Sequence, residues 1–173
     1  VPDPPQFLTL EEHRDADHRV ELGVRRAFVA AVAALAALAL ANVFGQVPRH
    51  SEGTGAAATL AVSAPDRLRG GLLYQARFTI RAERELEHAT LVLDRGWVDG
   101  MTINTFAPDP LATAYRDGTL ALDYGRVAAG DELQAWLQFQ VNPTTVGRRS
   151  QGVALHDGEE PLAAVDRTVT IFP

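Results

Sequence analysis

No charged side chain occurs between Arg26 and Arg49, and the run "AFVAAVAALAALALANVFGQVP" between them is polar only at Asn42 and Gln46. Twenty helical residues rising 1.5 Å each span about 30 Å, the thickness of a bilayer's hydrocarbon core. A core helix of a soluble domain would show polar residues along one face, and Ala27 to Ala41 show none on any face. A transmembrane helix is therefore expected over 24–47. Arg25 and Arg26 stand at its entry, and positive charge on that side places the N-terminus in the cytoplasm and the rest of the chain outside it.

Two other readings of the segment stay open. "RRAF" is similar to the core of a twin-arginine export signal, and "ALA" before Asn42 is similar to a small-residue cleavage site. A chain numbered through the segment and everything before it favours an uncleaved anchor. Ala30, Ala33, Ala34, Ala37 and Ala41 recur three and four apart. They form a ridge of small residues that lets another helix approach closely. Other integral membrane subunits, together with the lipid bilayer, are thus the expected partners.

The 173 residues leave room for one domain beyond the anchor. All sixteen basic residues are Arg; with abundant Ala and Gly, this points to a GC-rich coding sequence of the actinobacterial kind. Cysteine is absent, which excludes disulfides, thiolate metal sites, covalently attached haem and a lipidated cysteine. The outer domain must hold together by hydrophobic burial. From Val47 onward sixteen acids face twelve arginines, and a mildly negative surface speaks against nucleic acid as a partner.

Residues 1–23 read as a cytoplasmic tail. Three prolines among its first five residues block a helix there. Thr9 and Glu12, spaced as a capping box, start a short polar helix that runs on toward the membrane segment, with Gly23 as a weak point. His13 and His18, five apart, share no face well enough to chelate a metal. The Gly, Ser and Pro content of "PRHSEGTGAAA" marks 48–58 as a linker.

Beyond it the apolar period changes to two. Strands are expected at 59–64, 72–82, 87–94, 101–106, 119–125, 132–141, 150–156 and 164–172. In the second, Leu72, Tyr74, Ala76, Phe78 and Ile80 share one face; in the sixth, Leu133, Ala135, Leu137, Phe139 and Val141 do. Asp-Gly pairs at Asp99–Gly100, Asp117–Gly118 and Asp157–Gly158 suit tight turns. Eight strands over 59–173 with no helical period predict an all-β antiparallel sandwich of immunoglobulin-like kind, preceded by the single long transmembrane helix. A closed barrel is the main competitor; long connections such as "APDPLATAYRDG" disfavour it.

The order "YQARFTI", "ATLVLDRGWVDGMTINT", "DGTLALDYG", "RVAAGDELQAWLQFQV", "NPTTVG" resembles the DUF11-type bacterial immunoglobulin-like repeat over roughly Leu60 to Pro173. Gly100–Met101–Thr102 and Gly130–Asp131 fall on its turn motifs. The resemblance implies a fold and carries no catalytic residues. Such repeats usually come in arrays, whereas this chain has one copy.

The chain has no nucleophile elbow, zinc-protease helix motif, phosphate loop or calcium-loop spacing. His50, His88 and His156 are scattered, and Asp157, Glu159 and Glu160 read as a solvated turn tip. No catalytic, metal or cofactor residue is assigned. Trp136, on the strand face opposite Leu133, Ala135 and Leu137, is a candidate interface residue, because Trp anchors interfaces; packing in the second face of the sandwich weighs equally. Trp97, on a turn-rich loop, is the second candidate, facing the membrane surface, a partner or the domain's own edge. The expected function is that of a non-catalytic single-pass membrane protein, an accessory or adaptor subunit of a larger integral membrane complex, with a respiratory complex as one candidate. The alternative is an independent cell-envelope binding or adhesion module. A ten-residue linker, with a reach on the order of 20 Å, counts against that alternative.

Overall fold

The structure, a computed structural model, describes residues 11–41 and 45–173, with the helix side chains from Val20 onward. Thr9 and the three leading prolines lie outside the described residues. The chain divides into two compact units, Val1–Phe44 and Gly45–Pro173. The first holds helix α1 (Glu11–Leu40), continuous through Gly23. Within α1, Val20–Leu40 is a 21-residue span long and apolar enough to cross a bilayer, as an anchor or as a signal sequence.

The second unit is an immunoglobulin-like antiparallel sandwich of two five-stranded sheets with a small third sheet. The first sheet has the order β1 (Pro48–Thr54), β2 (Ala58–Pro65), β4 (Leu73–Ala82), β9 (Glu132–Val141), β6 (Met101–Ala107). The second has the order β12 (Glu160–Val165), β11 (Val153–Asp157), β5 (Ala89–Leu93), β8 (Thr119–Asp123), β7 (Ala112–Arg116). The third joins β10 (Gly147–Ser150), β13 (Thr168–Phe172) and β3 (Arg67–Arg69), with β13 and β3 running parallel.

The period of two places the core. Tyr74, Ala76, Phe78 and Ile80 of β4 are buried, as are Ala135, Leu137, Phe139 and Val141 of β9, with Leu133 half-buried. Leu91, Leu93, Leu122 and Leu155 complete the core from the second sheet, and Val169 and Ile171 from the third. Leu72, expected to continue the inward face of β4, is exposed and precedes the strand.

Five strands exceed the sequence expectation, and each lacks the alternation that would announce it. The segment 48–58, expected to be a linker, instead carries β1, paired with β2 along its whole length. Its Gly-rich composition has another cause. A Cβ on Gly53 or Gly55 would run into the carbonyl oxygens of Ala164 or Leu162, so β12 lies against the backbone of β1 and closes one side of the sandwich. Strand β7, within the expected long connection, is exposed at all five residues and therefore reads as polar loop. It pairs with β8 through Asp117 (φ 52°) and Gly118 (φ 84°), the two positive φ angles of a tight hairpin. Strands β3, β10 and β12 are short or exposed for the same reason.

Gly53→Ala forces the β1–β12 seam apart. Overpacking of this kind costs about 1–3 kcal/mol, and a denaturant melt of the variant will show the loss. A second expectation concerns alkaline pH. Burial, with a smaller effect of the Asp109 charge, pushes the Tyr124 phenol up to about 12 from 10.0. The folded state thus holds this proton above pH 10, where the unfolded chain releases it. The stabilisation is fully present below pH 10 and is lost as pH rises through 12. Melting temperature falls across that window, and Tyr124→Phe flattens the fall.

Candidate functional site

Of the two tryptophans, the structure buries one and presents the other. Trp97 lies in a short 3₁₀ turn (Arg95–Trp97) after β5 and is fully buried. Its ring packs at 5.3 Å from both Phe78 and Phe139, centroid to centroid. Its Nε1–H donates to the Gly152 carbonyl at 3.1 Å. The expectation of Trp97 as an interface residue is therefore corrected: the turn folds inward because a large apolar ring with one polar edge finds both a core slot and an acceptor there.

Beside it sits a buried polar cluster that the sequence reasoning missed. Arg167 is 8% exposed, and its guanidinium carbon stands 5.4 Å from the Trp97 ring centroid. Its Nη2 donates to the carbonyls of Ala64 (2.8 Å) and Pro65 (3.1 Å), while Nε and Nη1 have no partner. Burial holds the guanidinium below its usual range, and the neighbouring Tyr74 and Asp66 oppose that shift. The Tyr74 hydroxyl donates to Met101 Sδ at 3.1 Å and accepts from Gln151 Nε2 at 3.2 Å; burial pushes its pKa well up. The signal was present in "AVDRTVTIF": alternation places Arg167 on the same inward side as Val165, Val169 and Ile171.

Trp136 lies half-buried on the outer face of the first sheet. Strand register sets it in one row with His50, Ser63, Arg77 and Ala107, one residue from each of the five strands. Two hollows flank the ring. One, of about 450 Å³, is lined by Pro48, His50, Ser63, Pro65, Gln75 and Arg77, among others. The other, of about 150 Å³, is lined by Thr105, Ala107 and Gln138. Gln75 and Trp136 belong to both, so the hollows adjoin at these two side chains and together make a trough across the strands, with the indole standing in it. Among the described residues no Asp or Glu lines it. Arg81, on the same face, is held by Glu132 at 2.9 Å, and that bond raises the arginine and lowers the carboxylate. Among the described residues Arg77 has no ion-pair partner, and it adds only a weaker, unbonded attraction for Glu132.

The remaining candidates stay apart. His50 lines the trough, His88 faces Asp123 at 3.4 Å, and Asp157 accepts the backbone N–H groups of Glu87 and His88. Among the described residues no three acidic or histidine side chains could hold a metal ion. Ala30, Ala33, Ala34, Ala37 and Ala41 are exposed, as are Arg25 and Arg26.

No protein-family model and no curated protein matches the sequence, so the DUF11-type resemblance stands on its quoted residues alone. Solved structures show a general likeness. A non-cellulosomal cohesin from Archaeoglobus fulgidus shares 13% identity over 73% of this chain and 92% of its own, with a TM-score of 0.41. The CARDB domain of a Pyrococcus furiosus protein, solved with di-metal ions, shares 15% over 73% and 94%, at 0.39. CaCohA2 from Clostridium acetobutylicum shares 11% over 73% and 91%, at 0.42. The strand pairing described above, and not this likeness, defines the fold.

The two tryptophans will separate on mutation. Trp97→Ala lowers stability by about 3–5 kcal/mol, whereas Trp136→Ala changes it by less than about 1 kcal/mol. Urea melts of the two variants measure both.

Proposed function

We propose that the chain is a non-catalytic, single-pass membrane protein whose helix anchors it and whose sandwich, on the outer side of the membrane, acts as a binding module. One observation carries this reading. A 21-residue apolar helix, none of whose side chains is buried within the chain, is joined to a sandwich whose core is complete without it. Such a helix gains by burial in lipid or against another protein. Arg25 and Arg26 before the span support a cytoplasmic N-terminus and an extracytoplasmic sandwich. The proposed division is a tail over 1–23, the membrane helix and the sandwich, with β1 belonging to the sandwich.

The partners we infer for the helix are other integral membrane subunits, which makes the protein an accessory or adaptor chain. The exposed Ala30–Ala34–Ala37–Ala41 ridge supports this, because small residues permit close approach of a second helix while gaining little against lipid tails. The fold adds no support for a respiratory partner in particular. The alternative of an envelope-binding module is favoured by one feature, the trough beside Trp136.

Purification of the full chain in mild detergent will recover stoichiometric membrane subunits. The double substitution Ala34→Leu, Ala37→Leu will weaken that recovery several-fold while leaving membrane insertion intact, since Leu inserts more favourably than Ala. A chain that purifies alone, or an unchanged set of subunits with the double variant, overturns the helix-contact reading.

A further inference from the structure

We propose that the trough on the first sheet binds a linear polysaccharide bearing carboxylate groups, of the uronate kind; this rests on the reading of the sandwich as a binding module and names its ligand. Three properties of the trough lead there.

The first is direction. The trough crosses all five strands, which at about 4.8 Å spacing gives a length of roughly 19 Å, enough for a short stretch of polymer. Strands β2, β4 and β9 are paired on both sides, so their backbone groups are already engaged in the sheet. An extended peptide binds a sheet by adding along its edge, and the trough meets the two edges only at its ends, on β1 and β6. Recognition here belongs to side chains.

The second is charge. The chain carries a formal net charge of −6, yet among the described residues no carboxylate lines either hollow. Arg77 stands in the middle of the trough with no ion-pair partner among the described residues, while Arg49 and Arg81 are spent on Asp66 and Glu132 at 2.9 Å each. A free guanidinium presents a planar fork that matches a carboxylate. A phosphate fits the same fork but gains most where backbone N–H groups or a helix N-terminus add to it, and the paired strands supply neither.

The third is the company Arg77 keeps. Trp136 offers an apolar ring face, and Gln75, Gln138 and Ser63 offer amide and hydroxyl donors and acceptors around it. That combination suits a sugar ring, with its C–H face on the indole and its hydroxyl pairs on the amides. An acidic side chain would satisfy Arg77 but brings no ring face for the indole and no hydroxyl pairs for the amides.

Fluorescence tests this directly, because Trp97 is sealed in the core and a change in emission on binding must come from Trp136. The full chain in detergent micelles is titrated with polygalacturonate, dextran and poly-L-glutamate. Polygalacturonate will shift the emission, and Trp136→Phe will abolish the shift. Arg77→Gln will weaken binding about tenfold or more, the loss of one charge-assisted contact, with an unchanged melting temperature. Gln138→Ala, a second variant on the trough wall, will weaken it less. Dextran and poly-L-glutamate will bind at least about tenfold more weakly. Absence of a shift with polygalacturonate overturns the proposal. So does equal binding of poly-L-glutamate, which would assign the trough to acidic peptide, or of dextran or the Arg77→Gln variant, which would remove the carboxylate. None of these results alters the co-purification of membrane subunits through α1, so the two readings fail separately.

Discussion

One buried indole ties the sandwich together. Trp97 leaves the second sheet at the end of β5, enters between Phe78 and Phe139 of the first sheet, and donates its N–H to Gly152 just before β11. Arg167, from the segment leading into β13, covers the ring. A single side chain thus joins four other segments of the chain: β4, β9, the residue before β11 and the residue before β13. It packs on the inward faces of β4 and β9, and because successive side chains alternate, the residues between those it touches point out. Arg77 and Trp136 stand side by side on the surface because Phe78 and Ala135, their neighbours in sequence, are held inside.

The same cluster carries an electrostatic cost. A guanidinium with two unpartnered nitrogens is an unfavourable thing to bury. Two carbonyl acceptors at the end of β2 and the electron-rich face of the indole offset part of that cost. The bonds to Ala64 and Pro65 hold the end of β2 where Pro65 lines one end of the trough. The other wall there belongs to β1, which keeps its place because Gly53 and Gly55 let the backbone of β12 pass close by. Core chemistry on one side of the sheet therefore shapes the surface on the other.

Most of the architecture was legible from periodicity. The alternation in "LYQARFTIRA" and "ELQAWLQFQV" identifies the two central strands and their buried faces, since half-buried strands must alternate. The sandwich itself follows from that alternation and from turn residues such as Asp117–Gly118. Two of the edge strands were illegible for the complementary reason: β1 and β7 are solvated on most of their positions, so their composition is that of a loop. Trp97 was misplaced because a turn-rich local sequence says nothing about what lies beneath the turn. Arg167 was overlooked although its inward parity could be read from Val165, Val169 and Ile171.

By itself the sequence determined the uncharged run between Arg26 and Arg49, the absence of disulfides and the two faces of each central strand, because these depend on length, composition and a period of two. Tertiary structure alone decided the pairing order, and with it the row of His50, Ser63, Arg77, Trp136 and Ala107. It also decided that one tryptophan is core and the other surface. Those outcomes depend on contacts between residues tens of positions apart, and local propensity carries no record of which distant strand will come to lie alongside.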